Sequence, residues 1–423
     1  MALRNRRSPH LIAAIVAASF VASTWGGPIR ADEPLRLAAL VKAIRERSPS
    51  IAASSDRRDA ARIRIARSRA LEDPFVTLMT EDVPPSFRGG MPMVRFQATQ
   101  MVPWPGKRDR MAAVAERETD AAGARVDATV LDAVTQGERL YHQLVLNAEA
   151  RRINREQRQI VDALVEIANG RLGAGAGSHH DALKMQTEAS MLDDNLIMLR
   201  ADRVEMAAMV NALLDRPAGT GVAEPVAAWS PPLRADRNKL VGAALDRRPE
   251  LREMAAMNAA ERAMAEVARR EYYPDVMLGG FYDMRMGGMD TLGGMVGLNL
   301  PIWIGSKQRL DVGAAETRAR AVGHERAAMT AMVRAEIEKE LARIDAAERR
   351  MRLLDEEFIP RAQQTFDSAL KAFPAGMMSA LEVLDSLRTV TNQRLQRVVL
   401  AVDREVALVD LERATGIPVG EIR

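Results

Sequence analysis

The chain has 423 residues, no cysteine, 24 methionines and only 4% aromatic residues. Without cysteine there are no disulfides, no thiolate metal sites, no thiol catalysis and no acyl anchor on an N-terminal Cys. The formal charge of +3 is concentrated at the start: residues 1–31 carry Arg4, Arg6, Arg7 and Arg30 and no acid, and the remainder holds 56 Lys+Arg against 57 Asp+Glu, a net of −1, so a nucleic acid finds no basic footprint.

Residues 1–31 read as a secretory signal peptide. Arg4, Arg6 and Arg7 form the basic n-region, Leu11 to Val21 an apolar stretch too short to span a bilayer, and Ala31 a cleavage residue that leaves Asp32 as the mature start. Residues 36–72 follow a helical pattern. Two short strands come next, Pro74 to Glu81 and Pro92 to Met101, spanning a hairpin over 74–101. Residues 106–168 lack proline and place Val126, Val130, Val134, Tyr141 and Val145 at helical spacing. A Gly-rich turn over 169–178 leads into a helix over 178–214. Residues 217–236, with Pro217, Pro225, Pro231 and Pro232, form a linker. The order then repeats: helix 237–272, hairpin 274–301, long helix 306–371, turn 372–379 and helix 380–414. In the second long helix, Val333, Ile337, Leu341, Ile344, Met351, Leu354 and Phe358 form a coiled-coil seam. Pro360 should kink or break it, at a cost of roughly 3 kcal/mol.

The chain is thus a tandem duplication, residues 32–216 and 237–423. Ser48-Pro49 returns as Arg248-Pro249, Asp73-Pro74 as Tyr273-Pro274, Val102-Pro103-Trp104 as Leu300-Pro301-Ile302-Trp303, and Ala174-Gly175 as Ala375-Gly376. The fold class is mainly α with a small β part. A helix of some 60 residues is ~95 Å long at ~1.5 Å per residue, far more than a globular domain needs. The helices 178–214 and 249–272, laid end to end, match one long helix and would make a uniform tube wall. The strand regions hold nine of the sixteen aromatics, among them Phe75, Phe87, Phe96, Tyr273, Phe281 and Tyr282, with Trp104 and Trp303 at strand–helix boundaries. Trp and Tyr favour membrane–water interfaces, and strands of ~9–11 residues fit a transmembrane β-barrel. Four strands cannot close a barrel with a lumen, whereas three chains would supply twelve. The alternative is a small soluble sheet.

At these residues the chain resembles the TolC-like outer-membrane efflux channel family, over about residues 36–415. The resemblance rests on Arg171-Leu172-Gly173-Ala174-Gly175-Ala176-Gly177-Ser178 leading into Asp181-Ala182-Leu183, and on Ala372-Phe373-Pro374-Ala375-Gly376 leading into Ser379 and Glu382-Val383-Leu384-Asp385. It rests also on Arg248-Pro249-Glu250-Leu251 and Tyr273-Pro274-Asp275-Val276. It implies a homotrimer in the outer membrane of a Gram-negative bacterium: a twelve-stranded β-barrel in outer-membrane lipid, continued by an α-helical periplasmic tunnel; the missing Cys adds that the chain is not lipidated and that anchoring relies on the barrel. It further implies a passive conduit, with a periplasmic adaptor and an inner-membrane RND-type pump as partners. Met91-Pro92-Met93 and the run Gln100 to Arg108 are similar to members that serve heavy-metal efflux pumps.

The candidate sites follow from this. Gly173, Gly175, Gly177 and Gly376, with Ser178, Ala375 and Ser379, permit tight reversals at two tips. That suffices structurally, and the resemblance implies adaptor docking there. Glu382 and Asp385 share a helix face and, with Asp181, would form carboxylate rings at a tunnel mouth, the alternative being a solvated face. Phe373 stands where the best-known family member has Tyr, and Met378 where it has Arg, so that member's lock cannot be copied. His179 and His180 are possible metal ligands at the first tip, although adjacent residues diverge on a helix. The methionines, Met91, Met93, Met284, Met286 and Met289 among them, suit Cu(I) or Ag(I) as thioethers but equally serve as apolar filler. There is no catalytic constellation, and an enzyme or a cofactor is not expected. The cargo reading is heavy-metal ions, copper or silver first. A general drug-efflux or secretion channel, and a periplasmic coiled-coil scaffold, are the other readings.

Overall fold

The computed structural model describes residues 33–81, 93–234, 236–285 and 287–418. The expectations for the 1–31 leader and for Phe87, Met91 and Met286 lie outside them. The first repeat comprises α1 (Leu37–Arg47), α2 (Pro49–Arg69), β1 (Phe75–Glu81), β2 (Met93–Val102), α3 (Lys107–Gly173) and α4 (His179–Leu213). The second comprises α5 (Arg237–Arg247), α6 (Pro249–Arg270), β3 (Asp275–Arg285), β4 (Thr291–Asn299), α7 (Gln308–Leu353), α8 (Ile359–Ala372) and α9 (Ala380–Thr415).

Three expected boundaries move, each for a local reason. The segments 36–72 and 237–272 are each two helices, broken at Ser48 and Arg248, which sit at ψ 122° and 121°. A following proline ring crowds the preceding residue out of the helical region, and Pro49 and Pro249 then start the next helix. The first tip turn begins five residues later than expected, because α3 continues to Gly173 and only Gly175 turns to positive φ. The interruption before Pro360 takes the form of a π-helical turn, Leu354–Phe358, between α7 and α8. Pro360 lacks an N–H and its ring clashes with the carbonyl four residues back; the wider turn removes that clash without ending the rod.

At 67 residues α3 is the axis of the protomer. Shorter helices run antiparallel along it, α2, α4, α6 and α9 among them. Toward the sheet α6 lies beside it, with Arg252 on Asp127 at 2.7 Å and Glu271 on Lys107 at 2.8 Å. Further down α4 takes over, with the Asn147 amide donating to the Leu199 carbonyl at 2.8 Å and Arg158 on Asp193 at 3.1 Å. The expected end-to-end stacking of α4 and α6 is not what the contacts show: α6 starts at the end of α9, where Arg248 donates to the Ala414 carbonyl at 3.4 Å, and α4 ends against the α1–α2 junction, with Leu214 and Ile44 in one cluster. The linker packs against the other end of its own repeat. Leu35 bridges Pro225 in parallel, and the Tyr141 hydroxyl donates to the Val226 carbonyl at 2.5 Å. The core is divided along the rod into a tip cluster around Phe373 and Leu384, a cluster around Ile44 and Tyr141, and one around Ile337 and Leu411.

The four strands form one antiparallel sheet in the order β1-β2-β3-β4, with β2 and β3 joining the repeats. The helices that enter and leave these strands follow the same order, because each strand continues into its own helix. Among the described residues, β1 and β4 are unpaired edges.

Candidate functional site: the two-faced sheet and the paired tips

The sheet register sorts the strand residues onto two faces. One carries Thr77, Glu81, Arg95, Gln97, Thr99, Asp283, Thr291 and Asn299, together with Phe75, Phe281, Met79, Met93, Met101, Met277 and Met295. The other carries Val76, Leu78, Val94, Phe96, Val276, Leu278, Tyr282, Leu292, Val296 and Leu298, with Thr80 and Gln100 near strand ends. The polar face is the more enclosed one, as the concave side of a curled sheet is. Phe281 and Met295 are half-buried while their strand neighbours Gly280, Tyr282, Gly294 and Val296 are exposed, and Asp283 is buried. On this face Arg95 donates to Asp283 through Nε at 2.7 Å and Nη2 at 3.0 Å, with Glu81 at 3.7 Å. The convex face exposes large apolar groups, Leu292 at 83% and Val296 at 73%. An exposed apolar face of this extent marks contact with a membrane or a partner. Apolar-out and polar-in with a period of two is the pattern of a transmembrane β-barrel wall.

The two tryptophans, expected to be equivalent, are not. The Trp104 ring stacks on Tyr273 with centroids 5.5 Å apart, its N–H in the backbone donates to Asp275 Oδ1 at 2.9 Å, and Lys107 holds the other oxygen of that carboxylate at 2.8 Å. It fastens the β2–α3 corner to the start of β3. Trp303 is exposed together with Ile302 and Ile304 in the turn that leads to α7, so only this one presents its ring outward.

At the far end of the rod, the two tips close with the same backbone bonds. Gly175 N–H donates to Leu172 O and Ala176 N–H to Arg171 O; Gly376 N–H donates to Phe373 O and Met377 N–H to Ala372 O. Gly175 and Gly376 lie at φ +69° and +73°, a region that costs an L-residue about 1–2 kcal/mol. Gly177 is needed for a different reason: a Cβ there would lie 2.8 Å from the Leu172 backbone nitrogen. Gly173 ends α3 in helical conformation with open space around it, so the reversal role expected of it falls to Gly175 alone. Ala375 is exposed beside Gly376. Ser178 and Ser379 cap the descending helices, accepting from His180 N–H and Glu382 N–H.

The carboxylates expected at the mouth divide. Glu382 turns back to its own N-cap, accepting from Ser379 N–H at 2.8 Å, and the Ser379 backbone and hydroxyl hold its carboxyl below the usual range. This capping box occupies Glu382 locally. Asp385 remains exposed, and Asp181 is half-buried in the first turn of α4. His179 and His180 are exposed on that turn, and among the described residues no group of three or more His, Asp or Glu is placed to hold a metal.

Two contacts between the tips had no role in the sequence reading. Arg171 reaches from the end of α3, donating to the Phe373 carbonyl at 2.9 Å and to Ala176 O at 3.3 Å, with its guanidinium 5.1 Å over the Phe373 ring. Phe373 itself is fully buried, and half-buried Met378 packs on the same cluster. Arg388 on α9 forms a bidentate pair with buried Glu188 on α4, its Nε 2.9 Å from Oε1. Positions 188 and 388 are equivalent in the duplication, so a landmark offset near 200 could have pointed to them. These contacts bond the tips without a tyrosine hydroxyl at 373 or a guanidinium at 378.

Residues 240–417 match the family described as outer membrane efflux protein. Solved structures similar to the whole chain include VceC of Vibrio cholerae, an outer membrane protein, at 17% identity and TM-score 0.75 over 90% of this chain and 96% of that one. The CmeC outer membrane channel of Campylobacter jejuni is 13% identical, with TM-score 0.76 over 98% and 94%. The open-state MtrE outer membrane channel of Neisseria gonorrhoeae is 15% identical, with TM-score 0.73 over 91% and 89%. No curated protein matches the chain.

Proposed function

We propose that the chain is a member of the outer membrane efflux protein family, and that three copies close a twelve-stranded barrel in the outer membrane and serve as the passive exit duct of a tripartite efflux system. The observation that carries this is the sheet: an apolar convex face, a polar concave face, and two unpaired edges. Unpaired edges and irregular backbone are not tolerated in hydrocarbon, so β4 of one copy must pair with β1 of the next. The helices in register beneath the strands would then close with them into a tube about 100 Å long, at ~1.5 Å per residue of α3.

In this reading the tip turns meet a periplasmic adaptor, since they are the part farthest from the membrane, and an inner-membrane pump of the RND type supplies the energy. Asp385 and Asp181 contribute negative charge near the mouth; Glu382 contributes through its cap. His179 and His180 would need ligands from symmetry mates to bind a metal. Trp303 anchors the barrel at the lipid boundary and Trp104 stiffens the corner. The favoured cargo is heavy-metal ions, copper or silver first, on the strength of the thioethers in the strands; a general drug or secretion channel shares the architecture. A pore-free scaffold would leave the convex face of the sheet in water, which its exposed Leu and Val oppose at ~25 cal/mol per Å².

Detergent extraction of the outer membrane followed by mass measurement and planar-bilayer recording tests the duct. A trimer that conducts once its tips are loosened supports it; release of a soluble monomer without detergent contradicts it. Growth of a deletion strain, with and without the gene restored, on copper, silver, zinc and several drugs tests the cargo. Sensitivity confined to copper and silver supports the metal reading, and sensitivity to drugs alone contradicts it.

A further inference from the structure

The methionines of the sheet are not spread over it. Met79, Met93, Met101, Met277 and Met295 all lie on the concave face, and only Met284 lies on the convex one. The convex face takes its apolar bulk from Val, Leu, Phe and Tyr, whereas the concave face carries no Val, Leu or Ile at all. Apolar filler belongs where lipid is, alongside the leucines and valines. Thioethers concentrated on the water-facing side, amid Thr, Gln, Arg and Asp as well as Phe75 and Phe281, call for another explanation.

Three of them are neighbours in the register. Met101 and Met277 are directly opposed across β2 and β3, a pairing that brings Cβ atoms to ~4.5–5.5 Å. Met295 lies one diagonal step from Met277, ~7–8 Å away and within reach of long side chains. Glycines open the floor beneath them. The Met277 methyl lies 2.9 Å from where a Cβ of Gly297 would stand, and the Met295 methyl 3.3 Å from the corresponding point on Gly279. The two chains therefore lean toward each other's strand over glycine. All three methionines are half-buried, held against the wall yet open to the lumen side. The nearest carboxylate on this face, Asp275, is already engaged by Lys107 and the Trp104 backbone, so it adds little field for hard cations.

We propose that Met101, Met277 and Met295 form a thioether site for soft monovalent cations, Cu(I) or Ag(I), on the inner wall of the barrel near its helical end, repeated in each protomer. This rests on the reading of the concave face as a lumen. Neutral thioethers select soft, weakly hydrated monovalent ions and discriminate against Zn(II) and alkali cations. Half-exposed on a wide wall, such a site holds its ion weakly enough to release it, as conduction demands.

The test is Ag(I) binding to the purified detergent-solubilised full-length protein, by equilibrium dialysis and sulfur-sensitive X-ray absorption. The wild type is compared with Met101→Leu/Met277→Leu/Met295→Leu and with Met101→Leu alone, with Zn(II) as control. Leu keeps the volume and removes the sulfur. The proposal expects about one Ag(I) per protomer in a thioether environment, at least a tenfold weaker affinity in Met101→Leu, loss in the triple variant, and no matching Zn(II) signal. Should the triple variant fail to assemble, the single variant and the wild-type absorption spectrum decide alone. Equal Ag(I) binding in wild type and Met101→Leu, or bound Ag(I) without sulfur neighbours, overturns the site. Neither result touches the duct, which stands or falls on conductance and the trimer.

Discussion

Two hundred residues separate Ile44 from Ala244 and Gly137 from Ile337, and between the repeats the bulk changes sides. In the first, Ile44 reaches from α1 onto α3, where a Cβ on Gly137 would lie 2.1 Å from its Cδ1. In the second, Ile337 on α7 supplies the volume and Ala244 on α5 yields to it, both buried in one cluster. The tips behave differently. Gly175 and Gly376, Ser178 and Ser379 are the same residue types in both copies, making the same kinds of bond. Apolar packing can be met by any pair whose volumes sum correctly. A reversal that must satisfy backbone groups in a left-handed turn leaves little choice.

The strongest way to break this symmetry is at the contact between equivalent positions. Arg388→Ala leaves the buried Glu188 carboxylate without its partner, at a cost of about 3–5 kcal/mol. Amide exchange should accelerate across both tips, and adding Glu188→Gln should recover most of the protection. Protection unchanged in Arg388→Ala would mean the pair does not tie the tips. Next, Gly137→Ile should destabilise by roughly 3 kcal/mol through overpacking against Ile44, and Ile44→Ala in the same chain should restore the thermal midpoint. This double variant writes the second repeat's solution into the first; a failure to rescue would show that the two pockets differ in more than the exchanged volume.

The equivalent acids Glu138 and Glu338 sharpen the comparison further. Glu338 pairs with Arg237. Glu138 is pushed up to about 7 by burial first and by Glu412 second, with Arg45 opposing. A carboxyl raised above its unfolded value binds its proton more tightly when folded. Its stabilisation is therefore full below pH ~4.5 and fades as pH rises through about 7. Glu138→Gln should stabilise the protein at pH 8 by on the order of 1–2 kcal/mol once the group's partial exposure is discounted, read as a higher thermal midpoint, and change little at pH 4. An equal gain at both pH values would remove charge as the cause. The smallest effects have opposite signs: Gly175→Ala should cost about 1–2 kcal/mol, and Gly173→Ala, helical with open space, should gain about 0.5–1 kcal/mol.

Much of the architecture was legible because repeats and prolines are written locally. Ser48-Pro49 and Arg248-Pro249 mark the duplication, although the helix breaks their sterics impose were read through, and Ala174-Gly175 and Ala375-Gly376 mark the turns. The strand positions were legible as well. Their faces were not, because which side is concave depends on sheet curl, and the segregation of the methionines appears only once the register is fixed. The tip contacts were hidden for the same reason. Arg171 over Phe373 and Arg388 on Glu188 join residues some 200 apart, and no local pattern encodes such partners. Glu382 shows the converse: the Ser379–Glu382 spacing is a capping-box signature, yet the acid was read for its charge and not for its cap.

The central claim is that one face of this sheet meets lipid and the other water. The absence of native cysteine makes a direct measurement available. Single cysteines would replace Val76, Leu78, Val296 and Leu298 on one face, and Thr77, Gln97 and Thr99 on the other, in protein reconstituted into liposomes. The account predicts strict alternation: the first set labels only with lipid-soluble reagents, and the second labels with a charged water-soluble maleimide. Equal labelling of both sets by the water-soluble reagent would contradict it.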